Sequence, residues 1–141
     1  MNHAPVTHDR PEWQVLPGSS SELGESPFWS AADGCLVWID IARRLALRYD
    51  TTTGAMDRWS LPAEPGCMAP AVRPGGEPWG WVIALRDGVW HAETFGGPLR
   101  LLAPPPYDPA HLRFNDGRAD ALGRLWVSTL HEPRTEAAAA L

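Results

Sequence analysis

Four short apolar segments separated by turns, all but one of them bearing glycine, recur along this chain, and that recurrence restricts the fold more than any single motif does. The first unit runs ESPFW, turn SAADG, CLVWIDI, turn ARR, LALRYD, turn TTTG and AMDRWSL. The second runs CMAPAV, turn RPGGEP, WGWVIAL, turn RDG, VWHAE, turn TFGG and PLRLLA. A third opens with FNDGRAD, turn ALG and RLWVSTL, then trails into HEPRTEAAAAL. The second strands of these units begin near Cys35, Trp79 and Arg124, at spacings of 44 and 45 residues. A period of about 40–45 residues with four strands per unit is the signature of a β-propeller blade. The expected fold class is therefore all-β, an incomplete propeller of about two and a half blades over approximately 24–62, 67–103 and 113–141. Residues 12–141 make up the partial propeller and residues 1–11 a disordered amino-terminal tail. Closed propellers need about four blades or more. The chain is thus expected to be the front half of a longer protein, with EWQVLP (12–17) a strand completing a neighbouring blade.

Composition agrees with many short elements rather than long helices. Fifteen Pro and 13 Gly punctuate the length, and most of the eight Trp sit in runs such as LVWID, WGWVIAL and GRLWVS, where aromatic and β-branched residues suit a pleated sheet. Twelve Arg face 17 Asp plus Glu for a net charge of −5, and there is no Lys. No basic stripe supports binding to nucleic acid, and Schiff-base or lysine-nucleophile chemistry has no residue to run on. The start, MNHAPVTHDRPEW, lacks the apolar core of a signal peptide, and no run approaches the length of a membrane span. A cytoplasmic protein without a membrane partner is the expectation. Cys35 and Cys67 make no CxxC pair and read as small buried strand residues in a reducing compartment.

RFNDG (113–117) holds the chemistry-bearing residues of the third unit. Asn-Asp-Gly suits a tight turn, but a second turn signal, ALGR, follows at 121–124 and would leave almost no strand between them. RFNDGRAD also stands where ESPFW and CMAPAV stand in their units, as the innermost strand. Innermost strands line the central channel, so alternate side chains there face a ligand. Glu25, which in isolation would be a solvated turn residue, thereby reaches the channel, and Asn115 or Asp116 falls at a corresponding place. A carboxylate among amide and carboxylate oxygens is a site for a hard cation of the Ca²⁺ or Mg²⁺ type, with Zn²⁺ or Mn²⁺ as less selective occupants. Arg113, just before the inner strand, is suited to a hydroxyl-rich or anionic ligand; pairing with Asp116 or Asp120 is the alternative. The five His (3, 8, 91, 111, 131) form no HxH or HxxxH pair, no GxSxG elbow or phosphate loop occurs, and Ser26 has no nearby base.

LGESPFW, LVWIDI and RFNDGRADALGRLWVSTL together resemble the amino-terminal half of the senescence-marker-protein/gluconolactonase/luciferin-regenerating (regucalcin-like) family, over about residues 12 to 132. That resemblance implies a six-bladed propeller with one divalent cation, Ca²⁺ first and Zn²⁺, Mn²⁺ or Mg²⁺ as alternatives, at the mouth of its channel. It implies hydrolysis of a small-molecule sugar lactone. By motif match Glu25 is the metal ligand, and Arg113 and Asn115 contact substrate, with Asn115 close to the metal as well. Glu132, in HEPR, is the candidate for the family's acidic substrate contact after WVSTL. No catalytic residue falls within the chain, because the family's further ligands, an Asn and an Asp that is also the expected base, lie beyond Leu141. The chain alone is therefore expected to be inactive, with self-association through exposed blade edges as a further partner reading. The competing functional reading is a non-catalytic propeller fragment acting as a calcium-binding or protein-interaction module.

Overall fold

The computed structural model describes residues 10–141, and every regular element among them is a strand. Strands β1 (Gly24–Ser30), β2 (Cys35–Asp40), β3 (Leu45–Asp50) and β4 (Met56–Ser60) pair in chain order as a first antiparallel sheet. Strands β5 (Pro65–Val72), β6 (Pro78–Leu85), β7 (Gly88–Ala92) and β8 (Arg100–Ala103) repeat that order in a second. A third sheet consists of β9 (Leu112–Ala119) and β10 (Leu125–His131). The first strands of the sheets, β1, β5 and β9, lie against one another. Meanders fanned about a shared set of inner strands are the architecture of an incomplete β-propeller.

Strand alternation explains how the middle sheet is covered on both faces. Side chains two apart on a strand share a face, so Trp81, Ile83 and Leu85 of β6 pack with Val37, Ile39, Ala46 and Trp59 of the first sheet. Ala84, on the other face, joins Cys67 and Phe114 against the third sheet, with Tyr107, Leu125 and Val127 around them. Ile39, Ile83 and Leu85 are all fully buried, and each such side chain contributes about 1.5–3 kcal/mol.

Residues 12–17 do not form the expected strand. They run irregularly, and Trp13 and Val15 are each 89% exposed; an extended segment needs a ladder partner to persist, and none stands beside it among the described residues. The tail expected over 1–11 lies outside the described residues except for positions 10 and 11, which are irregular and exposed. After β10 the chain turns back, and the Thr129 N–H donates to the Ala140 carbonyl (2.8 Å), covering part of that strand's outer edge. No helix among the described residues is long and apolar enough to cross a membrane.

Candidate active site

Each inner strand has a break in its ladder, and β5 has a second one between Ala71 and Val72. In β1, Glu25 opposes Ile39 and Phe28 opposes Val37, so Ser26 and Pro27 share one partner, and Ser26 takes a φ of 54°. In β5, Gly66 is extra between Pro65, opposite Leu85, and Cys67, opposite Ala84. In β9, Asn115 and Asp116 share Ser128, because Phe114 opposes Thr129 and Gly117 opposes Val127. Such bulges bend the strand and re-aim side chains, and they concentrate beside active sites.

The three bulges meet. A Cβ on Gly66 would collide with the carbonyls of Phe114 and Asn115, so only glycine lets β5 approach β9 this closely. The Ser26 hydroxyl donates to Asp116 Oδ1 (3.2 Å), tying β1 to β9 directly. The same oxygen accepts from the Gly117 N–H (2.9 Å), and the Ser128 hydroxyl donates to the Asp116 carbonyl (2.9 Å). Ser26 is thus a link between sheets rather than a nucleophile.

Glu25 is half-buried, and among the described residues its carboxylate takes part in no ion pair. No group of three or more His, Cys, Asp or Glu side chains converges as a cage among the described residues. The donors contributed by the bulged strands are oxygens: the carboxylates of Glu25 and Asp116, the amide of Asn115 and the hydroxyl of Ser26. That chemistry fits a hard cation, though this set is fewer than the roughly six to eight oxygens calcium takes. Cys67 lies behind β9 at Gly117. Burial first, then the nearby Asp116 charge, pushes its thiol up to about 12, so it is a protonated packing residue rather than a reactive thiolate.

Arg113 is buried. Its Nη1 donates to the Phe114 carbonyl (2.9 Å) and to Asn115 Oδ1 (3.3 Å), and its Nε lies 3.4 Å from Glu132 Oε1. Its acidic partner is therefore Glu132, not Asp116 or Asp120. Asp120 clamps its own turn instead, accepting from the N–H groups of Leu122 (2.9 Å) and Arg124 (3.0 Å), from Arg124 Nε (2.7 Å) and from Trp126 Nε1 (3.0 Å). The Trp126 bond and then the Arg124 bonds lower its carboxyl to about 2. The run DALGRLW (120–126) is a turn clamp by this geometry. By ladder position Arg113, opposite Leu130 and one step inside the sheet end, matches Glu25, opposite Ile39; Asn115 sits further along, in the bulge.

Sequence reasoning missed Arg86, Glu64 and Tyr107. Arg86 donates through Nε to Glu64 (2.9 Å), through Nη1 to the Pro109 carbonyl (3.1 Å) and through Nη2 to Glu132 Oε1 (2.8 Å). The Tyr107 hydroxyl donates to the Arg86 carbonyl (3.1 Å), and burial above all pushes that phenol up to about 12. Burial opposes ionisation of Glu64, but the Arg86 bond and charge outweigh it and hold its carboxyl low. RDG had read only as a turn, yet the repeat carried a signal. One backbone hydrogen bond closes each sheet at this end: Ile41 N–H to Leu23 (3.0 Å), Arg86 N–H to Glu64 (2.9 Å) and Glu132 N–H to His111 (3.0 Å). Arg86 and Glu132 are therefore repeat-equivalent, with opposite charge, on neighbouring sheets.

The family description "SMP-30/Gluconolactonase/LRE-like region" matches residues 23–141. The chain is 40% identical over 114 residues to a 6-deoxy-6-sulfogluconolactonase of Pseudomonas putida, covering 81% of this chain and 38% of that protein. It is 31% identical over 110 residues to regucalcin of Gallus gallus, covering 78% of this chain and 35% of that one. Among solved structures, a calcium-binding regucalcin from Agrobacterium tumefaciens superposes with a TM-score of 0.78 at 28% identity, over 89% of this chain and 41% of that one. The chain thus spans about two fifths of the length of these proteins. With its fold and its motif-bearing inner strands alike, the chain belongs to the SMP-30/gluconolactonase/LRE-like family.

Proposed function

We propose that this protein hydrolyses a sugar lactone with the help of one divalent cation, Ca²⁺ first and Zn²⁺, Mn²⁺ or Mg²⁺ as alternatives. The observation that carries the reading is the meeting of three bulged inner strands, linked by the Ser26–Asp116 bond and by the contact of Gly66 with β9. The sulfogluconolactonase likeness supports the substrate class. In this reading Glu25 and Asn115 hold the cation, and Arg113, Asn115 and Glu132 contact the sugar. A bound cation would supply Lewis-acid polarisation of the lactone carbonyl and acidify a water.

The chain's own residues orient the substrate. Arg113 is anchored through Nη1 to the Phe114 carbonyl and Asn115 and through Nε to Glu132, which leaves Nη2 for a ring hydroxyl or the developing carboxylate. Because Asn115 Oδ1 accepts from Arg113, its NH₂ is the group left to donate to substrate. Glu132 engages both arginines through Oε1, leaving Oε2 to accept from a sugar hydroxyl. In this reading the general base and the remaining ligands are not among these 141 residues, and the chain alone is expected not to turn over.

Gluconolactone hydrolysis by the full protein, with Ca²⁺, Zn²⁺ or Mn²⁺ against a chelator-treated blank, tests the reading. Metal-stimulated turnover is expected, with Glu25→Gln weakening cation binding and hydrolysis together by at least the roughly 10–100-fold typical of losing even an outer-shell partner. Unchanged metal-dependent turnover in that variant would overturn the Glu25 assignment. Cation binding without turnover of any lactone would favour the second reading, a non-catalytic calcium-binding module, to which the calcium-binding Agrobacterium relative lends support.

A further inference from the structure

We propose that Arg86 is a positioning residue for the lactone site: it grips Glu132 across the boundary between the second and third sheets, and through Glu132 it fixes Arg113 and Asn115. The effect on substrate rests on the lactone-hydrolase reading; the chain of hydrogen bonds and ion pairs between the side chains does not.

All three nitrogens of the Arg86 guanidinium are engaged, on Glu64, on the Pro109 carbonyl and on Glu132. The fork is planar, so three fixed bonds set its orientation as well as its position. Its side chain is 21% exposed, and ion pairs sheltered in this way are screened less than exposed ones. Glu132 is different: it lies just past β10, its side chain is 40% exposed, and its Oε1 is shared between Arg86 Nη2 at 2.8 Å and Arg113 Nε at 3.4 Å. The shorter bond is the one to Arg86. Without it the Glu132 carboxylate keeps only the longer contact, which cannot by itself order an exposed acidic side chain.

Arg113 then loses the group that fixes its Nε edge. Its Nη1 would still reach the Phe114 carbonyl, but the direction of the guanidinium plane would no longer be set from both sides, and Asn115 Oδ1 accepts from that same Nη1. The relay therefore runs Glu64, Arg86, Glu132, Arg113, Asn115. A lysine at 86 cannot replace it, because one ammonium nitrogen cannot span Glu64, Pro109 and Glu132 in the geometry of the fork. A purely structural role, stapling two sheets, would cost stability and leave substrate handling intact.

The test uses Arg86→Gln and Arg86→Lys in the full protein. Both are expected to lower kcat/KM for gluconolactone by about tenfold or more, mainly through KM, with Lys recovering only part of the loss. Cation affinity measured by calorimetry should fall by less than in Glu25→Gln, because Asn115 stands at the end of the relay and Glu25 stands outside it. In a crystal structure of either variant the Arg113–Glu132 contact should be open. Wild-type KM together with an intact Arg113–Glu132 contact, whatever the change in Tm, would reduce Arg86 to a staple and overturn the proposal. If Arg86→Gln does not fold, Arg86→Lys carries the same readouts, since it keeps the charge and the stem. If the wild-type protein hydrolyses no lactone, that reading fails separately, and the crystal structure alone decides whether Arg86 holds Glu132 and Arg113.

Discussion

Asp40 has almost no access to water, with 1% of its surface exposed, yet it is held as an anion. Burial by itself would favour the neutral acid; the N–H groups of Glu22 (2.9 Å), Leu23 (3.2 Å) and Arg43 (3.2 Å) and the Arg43 guanidinium (3.6 Å) outweigh it, and its carboxyl is held below the ordinary range. A depressed folded value means that the stabilisation is present above the unfolded carboxylate range, about pH 4, and is lost as pH falls through the folded value. Asp40→Ala should cost about 2–4 kcal/mol at pH 7, since three N–H donors lose a charged acceptor. Urea titrations at pH 7 and pH 3 check this: the gap between wild type and variant should shrink at the lower pH, and a gap that widens would contradict the sign. Asp40 was invisible to sequence reading, where it was simply the polar end of LVWIDI. Arg43, three positions on, is a local partner, but the other two donors are on residues 17 and 18 positions earlier, and nothing local specifies those. Glu25, Arg113 and Asn115 could be singled out from the chain alone as polar residues in or beside short strands of the repeat, but their ladder places could not: Arg113, expected just before the inner strand, lies within β9 level with Glu25, and Asn115 is in the bulge.

Strands were legible because the signal for a strand is local. CLVWID, LALRYD and WGWVIAL are short apolar runs rich in aromatic or branched residues and bounded by turns, and RFNDGRA became a strand once its place in the repeat was counted. Bulges were not legible, because one extra residue leaves the apolar pattern of the strand almost unchanged while shifting the partner ladder. Thus CMAPAV opens the second unit at Cys67 by sequence, whereas β5 begins at Pro65; Pro is accepted as the first residue of a strand, and Gly66 is the bulge. Gly66→Ala tests the close approach of β5 to β9. Its new methyl would meet backbone carbonyls, which cannot rotate away as a side chain does, so a loss of about 1–3 kcal/mol, toward the upper end, is expected in the denaturation midpoint. A neutral result would mean that the inner strands can separate without cost and that the meeting of the bulges is loose.

The two four-stranded sheets share one apolar cluster that draws on both, with Val37, Ile39 and Trp59 on one side and Met68, Trp81 and Ile83 on the other. Neither sheet can lose its face without exposing the other's, so they are expected to unfold together. Ile83→Ala should therefore destabilise by about 2–5 kcal/mol, with tryptophan fluorescence and far-UV circular dichroism moving through a single coincident transition; two separated transitions would show that the sheets hold themselves independently. The 44-residue rhythm of the amino-acid order was enough to settle that the protein is built of antiparallel sheets around inner strands, because pleating, turns and period are properties of neighbours in the chain. It also marked the acid, amide and guanidinium of the motif strands. Which charge answers which was settled only by folding. Arg86 meets Glu64 and Glu132, 22 and 46 positions away, because repeat-equivalent ends of adjacent sheets are brought side by side, and an ion pair's strength depends on a separation in space that no spacing along the chain encodes.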